Sequence, residues 1–106
     1  AGQREAGEDP LHTAQRELVG EAGVRAAVWE PLGSAFMTPG VCDEVINFYL
    51  ARTLTEGAPR PESHEWLEHH WLPWDQALAW SRDGTLRDAK SLVGLHLAAA
   101  LLERFR

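Results

Sequence analysis

Apolar residues recur at helical spacing near the start of the chain, at Leu11, Ala14, Leu18 and Ala22. This spacing places them along one stripe of a helix and leaves the intervening polar residues on the other face. Asp9 followed by Pro10 is typical of a helix N-terminus, and glycine at position 23 is typical of the residue just past a helix. The pattern therefore predicts an amphipathic helix from Pro10 to Ala22.

The middle of the chain carries patterns typical of strands. The apolar residues between Val24 and Phe36 indicate one or two strands, and Pro31 and Gly33 within them favour an edge position or a bulge. From Glu44 to Ala51 the side chains alternate between two faces, which predicts a further strand.

The remainder of the chain is expected to be mostly helical. The stretch from Glu65 to Leu72 is a third strand candidate, and it is followed by a short helix from Trp74 to Arg82. A last helix is predicted from about Arg87 to Phe105, and we expect most of it to be buried because it is apolar almost all round. Helix, strands and two helices within residues 1–106 predict a single α/β domain.

Charge and cysteine content exclude several classes of protein. The 106 residues include 16 acidic and 10 basic side chains, for a net charge of −6, and this balance disfavours nucleic-acid binding. No apolar run reaches the length of a membrane span. The single cysteine, Cys42, excludes an internal disulfide and a CxxC site, so we expect a cytoplasmic protein.

Some suggestive residues are better explained structurally. His64 and Glu65 begin an HExxE sequence, which lacks the second histidine of the zinc-binding HExxH motif. Cys42 has no obvious basic neighbour that would activate its thiol. The five tryptophans are expected to serve the core or an interface rather than to stack on a base.

Two acidic residues on the first helix are the strongest candidates for chemistry. Glu17 and Glu21 are four residues apart, so both carboxylates project from one helix face. Adjacent carboxylates repel each other unless a cation lies between them, and oxygen ligands suit Mg²⁺ or Mn²⁺. The alternative is a solvated acidic surface.

The spacing of residues around this helix favours the metal site over the solvated surface. Gly2 is followed after five residues by Glu8 and, after seven more, by the sequence RELVGEAGV. This resembles the signature of the Nudix hydrolases, G-x5-E-x7-R-E-U-x-E-E-x-G-U, where U is a bulky aliphatic residue. Gly20 is the single departure, because it stands where the signature has a glutamate.

A later segment resembles one branch of that family. SAFMTPGVCDEVINFYLAR is similar to the strand-turn-strand of ADP-ribose and ADP-sugar pyrophosphatases, with Thr38 where that pattern has Ser or Ala. The resemblance implies a partial Nudix-type α/β/α sandwich with a mixed sheet, whose N-terminal strands are missing before Ala1. It also implies a homodimer in the full-length form.

The resemblance also assigns roles to individual residues. Glu17 and Glu21 would be the main metal ligands, with the backbone carbonyl of Ala1 as a further one. Arg16 would orient the acidic helix by pairing with a carboxylate, and Glu8 would support the ligands from behind. In this subfamily a glutamate before the last helices helps to activate water, and here Glu65 is the first choice and Glu62 the second.

The implied activity is Mg²⁺-dependent hydrolysis of the pyrophosphate bond of a nucleoside diphosphate sugar, with Mn²⁺ as a possible substitute. The expected substrate is ADP-ribose, which would yield AMP and ribose 5-phosphate. Gly20 removes a carboxylate from the cluster, so two alternatives stay open: a catalytically weakened module that binds a nucleotide or a protein, and a fragment of a longer enzyme without independent function.

Overall fold

The computed structural model describes residues 1–57 and 70–104. In chain order the elements are α1 (Pro10–Ala22), β1 (Val24–Phe36), β2 (Val45–Glu56), α2 (Trp74–Asp83) and α3 (Ala89–Glu103). The strands pair as an antiparallel two-stranded sheet, and the fold is mixed α/β as predicted. The described residues fall into two compact units, the first with residues 1–30, 51–57 and 70 and the second with residues 31–50 and 71–104.

Helix α1 has the bounds that the sequence predicted. Pro10 occupies its first turn, where a missing N–H costs nothing, and Asp9 precedes it in an extended conformation. Gly23 ends the helix in the left-handed region, with φ 66°, and donates its backbone N–H to the Val19 carbonyl oxygen at 2.9 Å. The next residue, Val24, is only 2% exposed, so the chain enters β1 through a buried position.

The two strands are longer than the sequence indicated, and each contains one residue with positive φ, Gly33 in β1 and Thr53 in β2. Pro31 and Gly33 do not divide β1, because an edge strand tolerates a residue without an N–H on its outer side. Strand β2 continues five residues beyond the predicted end at Ala51, through exposed positions that are polar apart from Leu54. At the end of β2, Gly57 donates its N–H to the carbonyl oxygen of Gly23 at 2.6 Å, within the first unit.

The second unit contains α2, α3 and the part of the β1–β2 hairpin nearest its turn, residues 31–50. Asp88 caps α3 by accepting the Ser91 backbone N–H at 2.9 Å. Gly94 lies against the Phe48 ring, where a Cβ would come within 3.4 Å. The expectation that α3 is mostly buried is wrong, since Ala98 alone among its described residues is buried. The elements of this unit cover only part of a helix that is apolar on every side.

Two further expectations can be compared with the described residues. The third strand candidate falls partly outside them, at residues 65–69, and residues 70–72 are not in a strand. Among the helices in the described ranges, none combines the length and apolar character that crossing a membrane requires.

Candidate metal centre

The carboxylate of Glu8, just before α1, is the best-shielded acidic group of the first unit, with 6% of its side chain exposed. Arg16 lies two turns into α1, and its guanidinium reaches back to this carboxylate. The Arg16 Nε donates to Glu8 Oε2 at 3.0 Å, and Nη2 donates to Oε1 at 3.0 Å. This two-pronged pairing fixes the orientation of both planar groups.

Further donors surround the same carboxylate. The Thr13 hydroxyl donates to Glu8 Oε1 at 2.7 Å, the Glu5 backbone N–H donates to Oε1 at 3.0 Å, and His12 Nδ1 lies 2.9 Å from Oε2. Hydrogen bonds from Arg16, above all, and then from Glu5 and Thr13 hold the pKa of Glu8 well below its usual range. The same pairing raises the pKa of Arg16 above its ordinary value. The neighbours of Glu8 therefore stabilise its ionised form in the folded protein.

Arg16 also connects this anion to the acidic face of the helix. Its Nη1 donates to Glu17 Oε1 at 2.8 Å, and its Nη2 donates to the Gln3 carbonyl oxygen at 3.0 Å. One guanidinium thus holds Glu8, Glu17 and the chain before α1 in a single hydrogen-bonded network.

The first two residues of the chain lie over the acidic face of α1. Gly2 is so close to Glu17 that a Cβ at position 2 would overlap its Cγ, Cδ and Oε1 atoms. The backbone nitrogen of Ala1 lies 3.1 Å from Glu21 Oε2. The Ala1–Gly2 segment therefore runs past both carboxylates. The role of the Ala1 carbonyl as a ligand stays a prediction.

The donors gathered here fit a hard divalent cation. Carboxylate and carbonyl oxygens are the ligands that Mg²⁺ and Mn²⁺ prefer. Because Gly2 has no side chain, the backbone at Gly2 can lie close to the Glu17 carboxylate. Within the described ranges, no group of three or more His, Cys, Asp and Glu side chains is arranged to hold a metal ion. Two carboxylates therefore remain the acidic donor set, and Gly20 is where the signature would add another.

The structure brings together part of the site that the sequence predicted. Five of the predicted site residues lie in the first unit and are linked by the hydrogen bonds described above: Ala1, Glu8, Arg16, Glu17 and Glu21. The two candidates for water activation, Glu62 and Glu65, lie outside the described residues.

Sequence reasoning missed several residues of the network. Thr13 and His12 occupy positions that the signature leaves free, and Gln3 contributes only its backbone. Thr13 could have been found from its spacing, because it lies three residues before Arg16 and so on the same helix face. Cys42 is an exposed free thiol in the second unit.

The fold is mixed α/β, and Arg16 on its acidic helix is hydrogen-bonded to Glu8, which precedes that helix. These features are typical of one class of domain, and comparison with known families identifies the class. Residues 1–92 match the NUDIX domain, and the chain belongs to this family. Its similarity to ADP-ribose and GDP-mannose pyrophosphatases agrees with the subfamily that the strand-turn-strand segment indicated.

Three relatives illustrate the range of similarity. The chain is 35% identical over 97 residues to the methanol dehydrogenase activator of Bacillus methanolicus, covering 90% of this chain and 52% of the relative. It is 34% identical over 92 residues to the GDP-mannose pyrophosphatase of Klebsiella pneumoniae, covering 81% and 45%. It is 33% identical over 103 residues to the ADP-ribose pyrophosphatase of Mycobacterium tuberculosis, covering 94% and 49%. The chain spans about half the length of these relatives.

Proposed function

We propose that this chain belongs to a Mg²⁺-dependent enzyme, also able to use Mn²⁺, that hydrolyses the pyrophosphate bond of a nucleoside diphosphate sugar. The observation that carries the proposal is the network in which Arg16 joins Glu8 to Glu17 beside the Ala1–Gly2 segment. A structural acidic helix has no need of a shielded glutamate–arginine pair behind it, whereas a cation site needs its ligands held in place.

The chemistry divides among the residues of the first unit. Glu17, Glu21 and the Ala1 carbonyl would hold the cation, which when bound neutralises charge on the diphosphate and makes water a better nucleophile. Arg16 holds the Glu17 carboxylate in a fixed direction through a hydrogen bond, and Glu8 keeps Arg16 in position. A proton must leave the attacking water, and Glu65, or else Glu62, is our candidate to accept it.

The proposed substrate is ADP-ribose, with AMP and ribose 5-phosphate as products. Support comes from the resemblance of the hairpin segment to ADP-ribose pyrophosphatases and from relatives that bear this name. Other relatives are named GDP-mannose pyrophosphatases, so the shared chemistry is that of a nucleoside diphosphate sugar. We further propose that the enzyme is cytoplasmic and acts as a homodimer in its full-length form.

Charge removal at the ligands tests the proposal. Glu17→Gln and Glu21→Gln should each lower Mg²⁺-dependent AMP release by at least about tenfold, because an amide is a poor ligand and loses about 1.4 kcal/mol of transition-state stabilisation. Mn²⁺ affinity, measured by electron paramagnetic resonance, should fall with it. Glu44→Gln, an exposed glutamate next to β2, is the matched control and should change neither quantity. Parent-like Mn²⁺ binding and turnover in either ligand variant would contradict the assignment.

Gly20 favours a second candidate, a catalytically weakened module that binds a nucleotide or a protein. The described residues supply two carboxylates where the signature provides more, which predicts a weaker cation site. Thermal stabilisation by ADP-ribose without release of AMP would support this candidate over the enzyme.

A further inference from the structure

We infer that Thr13 is a positioning residue for the proposed metal site, because its hydroxyl fixes the Glu8 carboxylate in the orientation that Arg16 needs to reach Glu17. The inference rests on the proposed function of that site. Among the residues that the structure describes, Thr13 is the only buried polar one, with 6% exposure. The Nudix signature leaves its position free, so nothing in the family pattern requires a threonine there.

The Thr13 hydroxyl has one proton and two acceptors within reach. Glu8 Oε1 lies 2.7 Å away, and the Asp9 carbonyl oxygen lies 3.3 Å away. The shorter contact is to a full anion, and hydrogen bonds to ionised acceptors are shorter and stronger than those to carbonyls. The proton is therefore directed at Glu8.

The other contacts of Glu8 explain why this one bond has consequences beyond it. Oε1 accepts from Thr13, from the Glu5 N–H and from Arg16 Nη2, while Oε2 accepts from Arg16 Nε and lies 2.9 Å from His12 Nδ1. A carboxylate offers about four acceptor sites, so these bonds leave it little freedom to rotate. Turning Glu8 would break its contacts with Thr13 and Arg16 together.

The same guanidinium carries the orientation forward to the cation ligand. Arg16 Nη1 donates to Glu17 at 2.8 Å while its other two nitrogens are bound to Glu8. A guanidinium is planar and rigid, so the direction of its third nitrogen follows from how the first two are held. Thr13 thus acts on Glu17 through Glu8 and Arg16, without touching a ligand itself.

Two matched pairs of variants isolate the hydroxyl. Thr13→Val replaces it by a methyl of similar size, whereas Thr13→Ser keeps the hydroxyl and removes the methyl. We expect Thr13→Val to weaken Mn²⁺ binding about fivefold and Thr13→Ser to remain within about twofold of the parent. Thr13→Ala compared with Thr13→Ser repeats the test with two small side chains, and it decides the question if the valine variant does not fold.

A double-variant cycle separates positioning from a general effect on helix α1. In a Glu8→Gln background the anionic acceptor is gone, so adding Thr13→Val should change Mn²⁺ affinity by much less than its fivefold effect in the parent. An equal loss in both backgrounds would overturn the inference, as would a serine variant as weak as the valine variant.

The outcomes also distinguish this inference from the proposed function. If Glu17→Gln weakens Mn²⁺ binding as expected and Thr13→Val binds like the parent, the metal site stands and the role of Thr13 is refuted. If Glu17→Gln itself binds Mn²⁺ normally, the metal site is refuted and the inference is refuted with it.

Discussion

Replacing Gly2 by alanine should weaken cation binding while leaving the fold almost unchanged. The added Cβ would lie closer than 3.0 Å to three atoms of Glu17, including Cγ, which is not the free end of the side chain. Carbon atoms in favourable contact are about 3.5–4.0 Å apart, so Glu17 has to move by more than one ångström or change rotamer. Either movement takes its carboxylate away from Arg16 Nη1 and from the proposed ligand position.

The expected sizes of the two effects differ. Holding Glu17 off its preferred rotamer costs about 0.5–1.5 kcal/mol. The backbone at Gly2 is outside the positive-φ region, so alanine fits it and stabilises by about 0.4–1 kcal/mol through the unfolded state. These contributions nearly cancel, so the melting temperature without metal should shift by only a few degrees. Cation affinity has no such compensation, and we expect a roughly tenfold loss, or about 1.4 kcal/mol.

The assay is a Mn²⁺ titration by electron paramagnetic resonance, with thermal melts in EDTA and in excess metal. Gly40→Ala is the matched control, since a Cβ there meets nothing within 4 Å and its φ is ordinary. A Gly2→Ala protein that binds Mn²⁺ as tightly as the parent would refute the reasoning. Glu17 would then either move freely or contribute nothing to cation binding.

Two further predictions concern position 20 and acid stability. Gly20→Ala and Gly20→Glu should both gain about 0.5–1 kcal/mol of helix stability. In the glutamate variant, repulsion from Glu17 and Glu21 should offset part of this gain. Only the glutamate variant should bind Mn²⁺ more tightly than the parent. Equal Mn²⁺ affinity in these two variants would show that position 20 faces away from the ligands. The folded state lowers the pKa of Glu8 from 4.5, so the unfolded state binds more protons in acid, and stability should fall as pH drops below about 5. Urea unfolding between pH 3 and 6 should show this slope in the parent and a shallower one in Glu8→Gln, and equal slopes would contradict the prediction.

The local elements could be predicted where the sequence itself encodes their ends. Helix α1 has its predicted bounds because Pro10 and Gly23 act through their own backbone geometry. The end of β2 could not be predicted from residues 52–56, because these exposed residues, polar apart from Leu54, are held in the strand by pairing with β1. The burial of α3 was wrongly predicted for a similar reason, since exposure depends on which elements lie beside a helix.

The candidate site shows the same division. The helical spacing of Glu17 and Glu21 and their separation from Glu8 along the chain are visible in the sequence. Together with the family signature, they predicted which side chains would lie close together. The parts played by Thr13 and the Gln3 carbonyl depend on how the chain before α1 folds back over the helix. Two contacts along this path pair a side chain with a backbone group, Arg16 with the Gln3 carbonyl and Glu8 with the Glu5 N–H, and the side-chain pattern does not reveal the backbone partner.

The hydrogen bonds made by Glu8 and Arg16 are close in sequence, which bears on how early they can form during folding. Their hydrogen bonds join residues at most 13 positions apart, and most join residues within eight. Loops of about ten residues close in roughly 10–100 ns, whereas a β-hairpin takes about 1–10 μs to form. Contacts so close in sequence lose little chain entropy, so they can form before the strands pair. The segment that presents the acidic residues therefore has contacts short enough in sequence to form without the sheet, and helix α1 does not depend on strand pairing for these hydrogen bonds.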